Sequence, residues 1–74
     1  MKHKHRIEIN PEVLVGKPII KGTRISVEFV LELLANGWDR EEILKNYPQI
    51  TKEDILAAIE YSLEIIKEEK VYAV

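Results

Sequence analysis

The stretch WDREEILKNYPQITKEDI, residues 38–55, contains two helix starts of the same design. Each start combines a capping box, in which two polar residues three positions apart cap the backbone, with an apolar staple pair around it. These residues are Asp39 and Glu42 with Trp38 and Ile43, and Thr51 and Asp54 with Ile50 and Ile55. Pro48 ends the first helix because its ring cannot continue the hydrogen-bond ladder. The stretch therefore predicts one helix over 40–46 and a second that begins at residue 52.

The residues before this stretch predict one more helix. Apolar side chains recur there at i, i+3, i+4 and i+7, which is the spacing of one helix face. They are Val27, Val30, Leu31 and Leu34. Ser26 can cap the start of this helix, and Gly37 can end it in the left-handed conformation. We predict three helices, over 27–36, 40–46 and 52–69.

Residues 1–25 predict a short β element. In the alternating segment 3–9, Ile7 and Ile9 fall on one face of a strand, and the β-branched Ile19 and Ile20 suit a second strand. The fold class is therefore mainly α, with two short strands followed by a three-helix bundle. We expect a single domain over residues 1–74: a β element and basic turn (1–25), the bundle (26–69) and a C-terminal stub (70–74).

The amino-acid composition excludes several kinds of site and several classes of protein. The chain has 74 residues, is 46% hydrophobic and 32% charged, and contains no cysteine, so a disulfide framework and thiolate metal sites are excluded. No apolar run approaches the length of a membrane span, and we expect no membrane association and a cytoplasmic location. Lys and Glu are abundant whereas Gln occurs once, which favours a thermophilic source.

Charge divides the chain into two unequal parts. Residues 1–26 carry six basic and two acidic side chains, a net charge of +4, and residues 27–74 carry a net charge of −6. Lys17, Lys21 and Arg24 bracket a tight turn that Pro18 and Gly22 hold. A fixed turn that presents cations can contact phosphates or a partner's carboxylates, although ordinary surface charge explains it equally well. A uniformly basic nucleic-acid binder is excluded.

The last helix is apolar over too much of its circumference. With 100° per residue, polar side chains of residues 53–68 occupy about 100° and apolar ones about 220°, whereas one core-facing stripe needs little more than 100°. We expect one flank, either Tyr61 with Ile65 or Leu56 with Leu63, to contact another chain, so that a homodimer forms. The alternative is that the strands and residues 71–74 fold back over this helix.

No group of residues predicts catalysis. His3 and His5 could share a metal, but two ligands without a third do not make a tight site, and solvated imidazoles at a frayed terminus are the simpler interpretation. The acidic pairs at 41–42 and 53–54 each lie in a first helical turn, where they stabilise the positive end of the helix dipole. We therefore expect no catalytic residue, no metal and no cofactor.

The helices at 40–46 and 52–69 have the outline of a helix-turn-helix. In that motif the second helix uses its N-terminal residues to contact base edges. Here this end offers Lys52, Glu53 and Asp54, and phosphate would repel the two carboxylates. The outline is thus supported, whereas DNA reading through this helix is not.

Five segments, in this order, carry a family resemblance over residues 7–66. They are Asn10-Pro11-Glu12, residues 16–25 (GKPIIKGTRI), residues 41–44 (EEIL), Tyr47-Pro48 and residues 51–55 (TKEDI). The chain resembles the small prokaryotic domain of unknown function 433 family, whose members resemble antitoxins of VapB type. The resemblance implies a homeodomain-like helix-turn-helix fold and a PIN-like ribonuclease toxin, encoded in the same operon, that the antitoxin binds and silences. Such antitoxins often repress their own promoter, and many have a long C-terminal tail, in place of which we expect a short stub here.

Two hypotheses follow. The first is a non-enzymatic antitoxin-like protein that dimerises and binds a PIN-like nuclease through Lys17, Lys21 and Arg24. The alternative is a stand-alone helix-turn-helix DNA-binding transcriptional regulator, in which the same basic turn contacts operator DNA with Arg6 and Lys4 as an arm.

Overall fold

Two short strands precede three helices in the computed structural model, which describes residues 2–68. The elements are β1 (Ile7–Ile9), β2 (Pro18–Ile20), α1 (Val27–Ala35), α2 (Arg40–Asn46) and α3 (Lys52–Glu68). The mainly α fold is therefore confirmed, and each helix bound within the described residues lies within one residue of its predicted position. The predicted helix end at 69 and the stub 70–74 lie outside the described residues.

Both predicted capping boxes are present. At the start of α2, the backbone N–H of Glu42 donates to Oδ1 of Asp39 (2.8 Å), and the N–H of Asp39 donates to Oε1 of Glu42 (3.5 Å). At the start of α3, the N–H of Asp54 donates to Oγ1 of Thr51 (3.2 Å), and the N–H of Thr51 donates to Oδ2 of Asp54 (2.8 Å). Reciprocal capping satisfies two helix-end donors at each start, so sequence and structure agree on where both helices begin.

The two strands form an antiparallel sheet with Ile7 opposite Ile20 and Ile9 opposite Pro18. The prediction that the first strand extends through His3 is wrong at its N-terminal end. Residues 4–6 form a turn of 3-10 helix instead, and β1 begins at Ile7. A strand needs a neighbour for its backbone groups, and β2 is only three residues long, so the sheet extends no further.

One apolar core joins the sheet to the helices. It contains Ile20, Val27, Val30, Leu33, Ile43, Ile50, Ile55 and Ala58. Every one of the helices and β2 contributes to it, and β1 adds the partly buried Ile7. The β element therefore shares its apolar core with the helical bundle. Within residues 2–68, the helices are all too short or too polar to span a bilayer.

Candidate binding surface

The basic turn at residues 21–24 is held by a dense set of hydrogen bonds. Oγ1 of Thr23 donates to the carbonyl of Ile20 (2.8 Å) and accepts from the N–H of Ile25 (3.0 Å). The N–H of Ile20 in turn donates to the carbonyl of Ile25 (2.9 Å). Gly22 takes φ = 81°, which a side chain would strain. The turn therefore presents its two basic side chains, both exposed, from a fixed backbone.

A second turn, at residues 14–16, is left-handed and exposes apolar side chains. Leu14, Val15 and Gly16 have φ values of 50°, 57° and 79°. A left-handed conformation costs about 1–2 kcal/mol for a residue with a Cβ atom, and a β-branched residue there is a genuine outlier. Val15 is also 95% exposed. Strained backbone conformations cluster at functional sites, so this exposed apolar turn is a candidate binding surface.

These two turns border one groove of about 580 Å³ against the start of α1. It is lined by Leu14, Val15, Lys17, Arg24, Ile25, Ser26 and Phe29. The ring of Phe29 lies edge-on to Tyr47, with the centroids 5.4 Å apart, and this contact fixes the apolar side of the groove. Lys17 pairs with Glu28 at 3.0 Å, but both side chains are largely exposed, and such a pair is readily exchanged for another partner. The groove thus combines an apolar surface with two cations at its rim.

Arg6 lies elsewhere and is held by α3. Its Nη1 donates to Oδ1 of Asp54 (3.1 Å) and, more weakly, to Oγ1 of Thr51 (3.4 Å). Arg6, Asp54, Lys21 and His5 line a separate depression of about 320 Å³ that shares no residue with the groove. The four predicted binding residues therefore divide into two sites. Lys17 and Arg24 lie together, whereas Arg6 is engaged in joining the N-terminal segment to the start of α3.

The expectation of solvated histidines at a frayed terminus is wrong for His3. Nδ1 of His3 contacts Oε1 of Glu60, and the backbone N–H groups of Lys2 and His3 donate to Oε2 of the same carboxylate at 2.8 and 3.2 Å. The hydrogen bond from the His3 side chain, followed by those from the two backbone N–H groups, lowers the pKa of Glu60 from its ordinary value of 4.5. Residues 2 and 3 are therefore held against α3 by the carboxylate of Glu60, which lies 57 positions from His3 in the sequence.

Glu53 keeps a negative charge at the exposed start of α3. A backbone hydrogen bond lowers the pKa of its carboxyl group from 4.5, and the charge of Arg6 and the hydroxyl of Thr51 act in the same direction. Asp54, the other acidic residue of this turn, is buried against Arg6. The exposed carboxylate at this end of α3 is therefore that of Glu53, whereas the carboxylate of Asp54 is paired with Arg6.

The self-association residues proposed from the sequence differ in exposure. Tyr61 is half-buried and packs against the core. Leu56, Leu63 and Ile65 are exposed, and so are Ile59 and Ile66 on the side of Leu56 and Leu63. The flank with Leu56 and Leu63 is thus the continuous exposed one.

Metal chemistry finds no support among residues 2–68. The structure places no group of three or more His, Asp or Glu side chains there that could hold an ion. The absence of catalytic function stays a prediction.

The structure defines a small, mainly α protein in which a short antiparallel sheet carries a basic turn against a helical bundle. The family described as "Protein of unknown function (DUF433)" matches residues 7–62. The chain belongs to this domain of unknown function 433 family. A crystal structure of a DUF433 member protein from Anabaena variabilis is similar, with 35% identity and a TM-score of 0.78. The similarity covers 85% of this chain but 62% of that protein, so this chain spans less than two thirds of its relative's length. No curated protein matches the chain.

Proposed function

We propose that this chain is a non-enzymatic, antitoxin-like binding protein that docks on a PIN-like ribonuclease encoded in the same operon and silences it. The observation that carries the proposal is the groove between the two turns. Its apolar residues include Val15, which is almost fully exposed and has a strained, left-handed backbone conformation. Its rim carries Lys17 and Arg24. Such a surface suits a partner that offers an apolar side chain beside carboxylates.

Electrostatics supports a nuclease as this partner. A PIN-like active site is a cluster of carboxylates around a metal ion, and its mouth is therefore acidic. Residues 1–26 carry a net charge of +4 in a chain of net charge −2. Charge of this kind steers encounter and determines register more than it adds raw affinity, so the apolar contact around Val15 would supply much of the binding energy.

Co-expression tests the proposal directly. The chain is produced with the product of the adjacent open reading frame, with an affinity tag on one of them, and the two are expected to co-purify and the nuclease activity to fall. The double variant Lys17→Glu/Arg24→Glu and the variant Val15→Asp are expected to abolish co-purification. Arg40→Glu is the matched control, because Arg40 is also exposed but lies on α2 outside the groove.

Two results would contradict the proposal. One is a neighbouring product that never co-purifies with the unaltered chain. The other is a complex that tolerates the groove variants as well as it tolerates Arg40→Glu, since the groove would then play no part.

A DNA-binding regulator is the second candidate, favoured by the order of α2 and α3 and the short connection between them. The exposed carboxylate of Glu53 at the start of α3 opposes it, and so the basic turn would have to supply the phosphate contacts. With three to four contacts per subunit, log K for the chain's own upstream DNA should fall with log[salt] at a slope of about −0.9 per contact. A flat or undetectable isotherm would leave only the protein-binding function.

A further inference from the structure

Four exposed apolar side chains on α3 are spaced three, four and three residues apart. Leu56, Ile59, Leu63 and Ile66 are 36%, 42%, 47% and 59% exposed. This spacing is that of the a and d positions of a coiled coil. On a straight helix the four lie within an arc of about 80° and extend for about 15 Å along the axis. A continuous apolar stripe of this kind marks an interaction surface.

We propose that α3 pairs with α3 of a second copy of this chain through this stripe, and that the two helices run antiparallel. The stripe is complementary to itself in that arrangement, as a two-fold interface requires. Leu56 lies opposite Ile66 of the second copy, and Ile59 lies opposite Leu63. Each pair occurs twice, so eight apolar side chains leave water together.

Charges beside the stripe select the direction. Glu53 and Lys67 both flank the stripe on the same side, one near each end, and both are exposed. Antiparallel pairing places Glu53 beside Lys67 of the second copy, again twice, in the positions where coiled coils use salt bridges to determine orientation.

Antiparallel pairing brings two like charges together at the centre of the interface. Glu60 flanks the stripe on the side of Glu53, and the two-fold axis brings it near Glu60 of the second copy. Its carboxylate, however, already accepts hydrogen bonds from the N–H groups of Lys2 and His3 and contacts the His3 side chain. These donors direct the carboxylate towards its own N-terminal segment and offset the repulsion.

The pairing surface and the groove have no residue in common. The groove draws all of its lining from residues 14–29, and the stripe lies wholly on α3. A dimer would therefore carry two copies of the groove. The self-pairing does not rest on the proposed nuclease partner, and either can fail without the other.

Sedimentation equilibrium of the full chain over a concentration series tests whether the pair forms. The expected result is a reversible dimer in the micromolar range. Leu63→Lys should make the chain monomeric while its helical circular-dichroism signal persists, because Lys has nearly the helix propensity of Leu and residue 63 is exposed in the monomer. Ile9→Lys, an equivalent change on an exposed residue outside α3 and outside the groove, should leave the dimer intact. A chain that stays monomeric at several hundred micromolar would overturn the proposal.

Charge reversal tests the register. Glu53→Lys or Lys67→Glu alone should raise the dimer dissociation constant about tenfold, because each change turns two attractions into two repulsions. The double variant should restore the constant to within about threefold of the unaltered chain. All three variants carry unfavourable charges at helix ends, so restoration in the double variant separates pairing from stability. Penalties that simply add would refute the Glu53–Lys67 contact.

The direction is tested by a distance. The chain has no cysteine, so Lys52→Cys accepts a single spin label. Antiparallel pairing centred near residue 61 separates the two labelled residues by about 27 Å along the axis. Pulsed electron paramagnetic resonance should therefore give a distance near 30 Å, and a distance below about 15 Å would show parallel helices.

Discussion

Asp54 makes two contacts whose loss should lower the free energy of unfolding of this protein. Its carboxylate receives the N–H of Thr51 through one oxygen (2.8 Å) and Nη1 of Arg6 through the other (3.1 Å). The side chain is 10% exposed, and that of Arg6 is 31% exposed. Asp54→Ala therefore removes half of a capping box and leaves a guanidinium group partly buried without its counter-ion.

The cost can be estimated from these two contacts. Loss of a helix cap is worth about 1 kcal/mol, and loss of a hydrogen bond to a charged group about 1.5–3 kcal/mol, here reduced because Arg6 retains some solvent. We expect a decrease of about 2–3 kcal/mol in the free energy of unfolding. A 74-residue domain has about 4–11 kcal/mol in total, and each kcal/mol shifts Tm by about 4–8 °C at this size. The variant should therefore melt roughly 10–20 °C lower.

Urea denaturation at one fixed protein concentration is the assay, because self-pairing would make stability depend on concentration. Asp54→Asn keeps an oxygen that can accept the Thr51 N–H but loses the charge, so it should cost about half as much. A double-mutant cycle with Arg6→Met should show coupling between the two residues. Glu41→Ala, an exposed acid in the first turn of α2, is the control and should cost under about 0.5 kcal/mol. A loss for Asp54→Ala no larger than for this control would refute the reasoning.

Three further predictions concern other sites. Val15→Asn should raise the free energy of unfolding by about 0.5–1 kcal/mol in denaturant titrations, because Asn tolerates the left-handed conformation, and should weaken partner capture; a loss of stability would contradict this account of the turn. Ser26→Ala should lower Tm by several degrees, corresponding to about 1 kcal/mol, because the Oγ of Ser26 accepts the N–H of Phe29 at 2.9 Å. An unchanged melting curve would show that this cap does not stabilise the protein. The lowered pKa values of Glu53 and Glu60 mean that the folded state binds fewer protons than the unfolded state near pH 4.5, so their stabilisation is complete above that pH and is lost as the pH falls through the folded pKa values. Glu60→Gln should therefore flatten the fall in stability below pH 4.5, and an identical pH profile would exclude a role for Glu60.

The helices could be predicted because their signals are local. Asp39 with Glu42 and Thr51 with Asp54 cap the backbone within three residues, and these contacts need no knowledge of the rest of the chain. The apolar period from Val27 likewise belongs to one helix face. Such features are encoded within one or two turns, and tertiary packing only had to agree with them.

The contacts of the N-terminal segment could not be predicted in the same way. His3 with Glu60 and Arg6 with Asp54 join residues 57 and 48 positions apart, and nothing in the spacing of either partner points to the other. The left-handed turn at Val15 could not be predicted either, because a β-branched residue disfavours the left-handed conformation that Val15 adopts. Pro18 and Gly22 indicated the basic turn, but not that an exposed apolar turn would lie beside it.

The side chains of α3 explain why one of its flanks is covered and another is not. Ala57 is fully buried and lies one turn from both Asp54 and Glu60, the residues that bind Arg6 and His3. A small side chain there lets the N-terminal segment approach the helix closely while polar groups on either side hold it. The flank of Leu56 and Leu63 has large apolar side chains and lacks such polar anchors among the described residues. A lone strand or turn could not cover it without leaving its own backbone groups unpaired, whereas a second helix brings its backbone already hydrogen-bonded. The residue types on α3 therefore favour the turn of the N-terminal segment on one flank and another helix on the other.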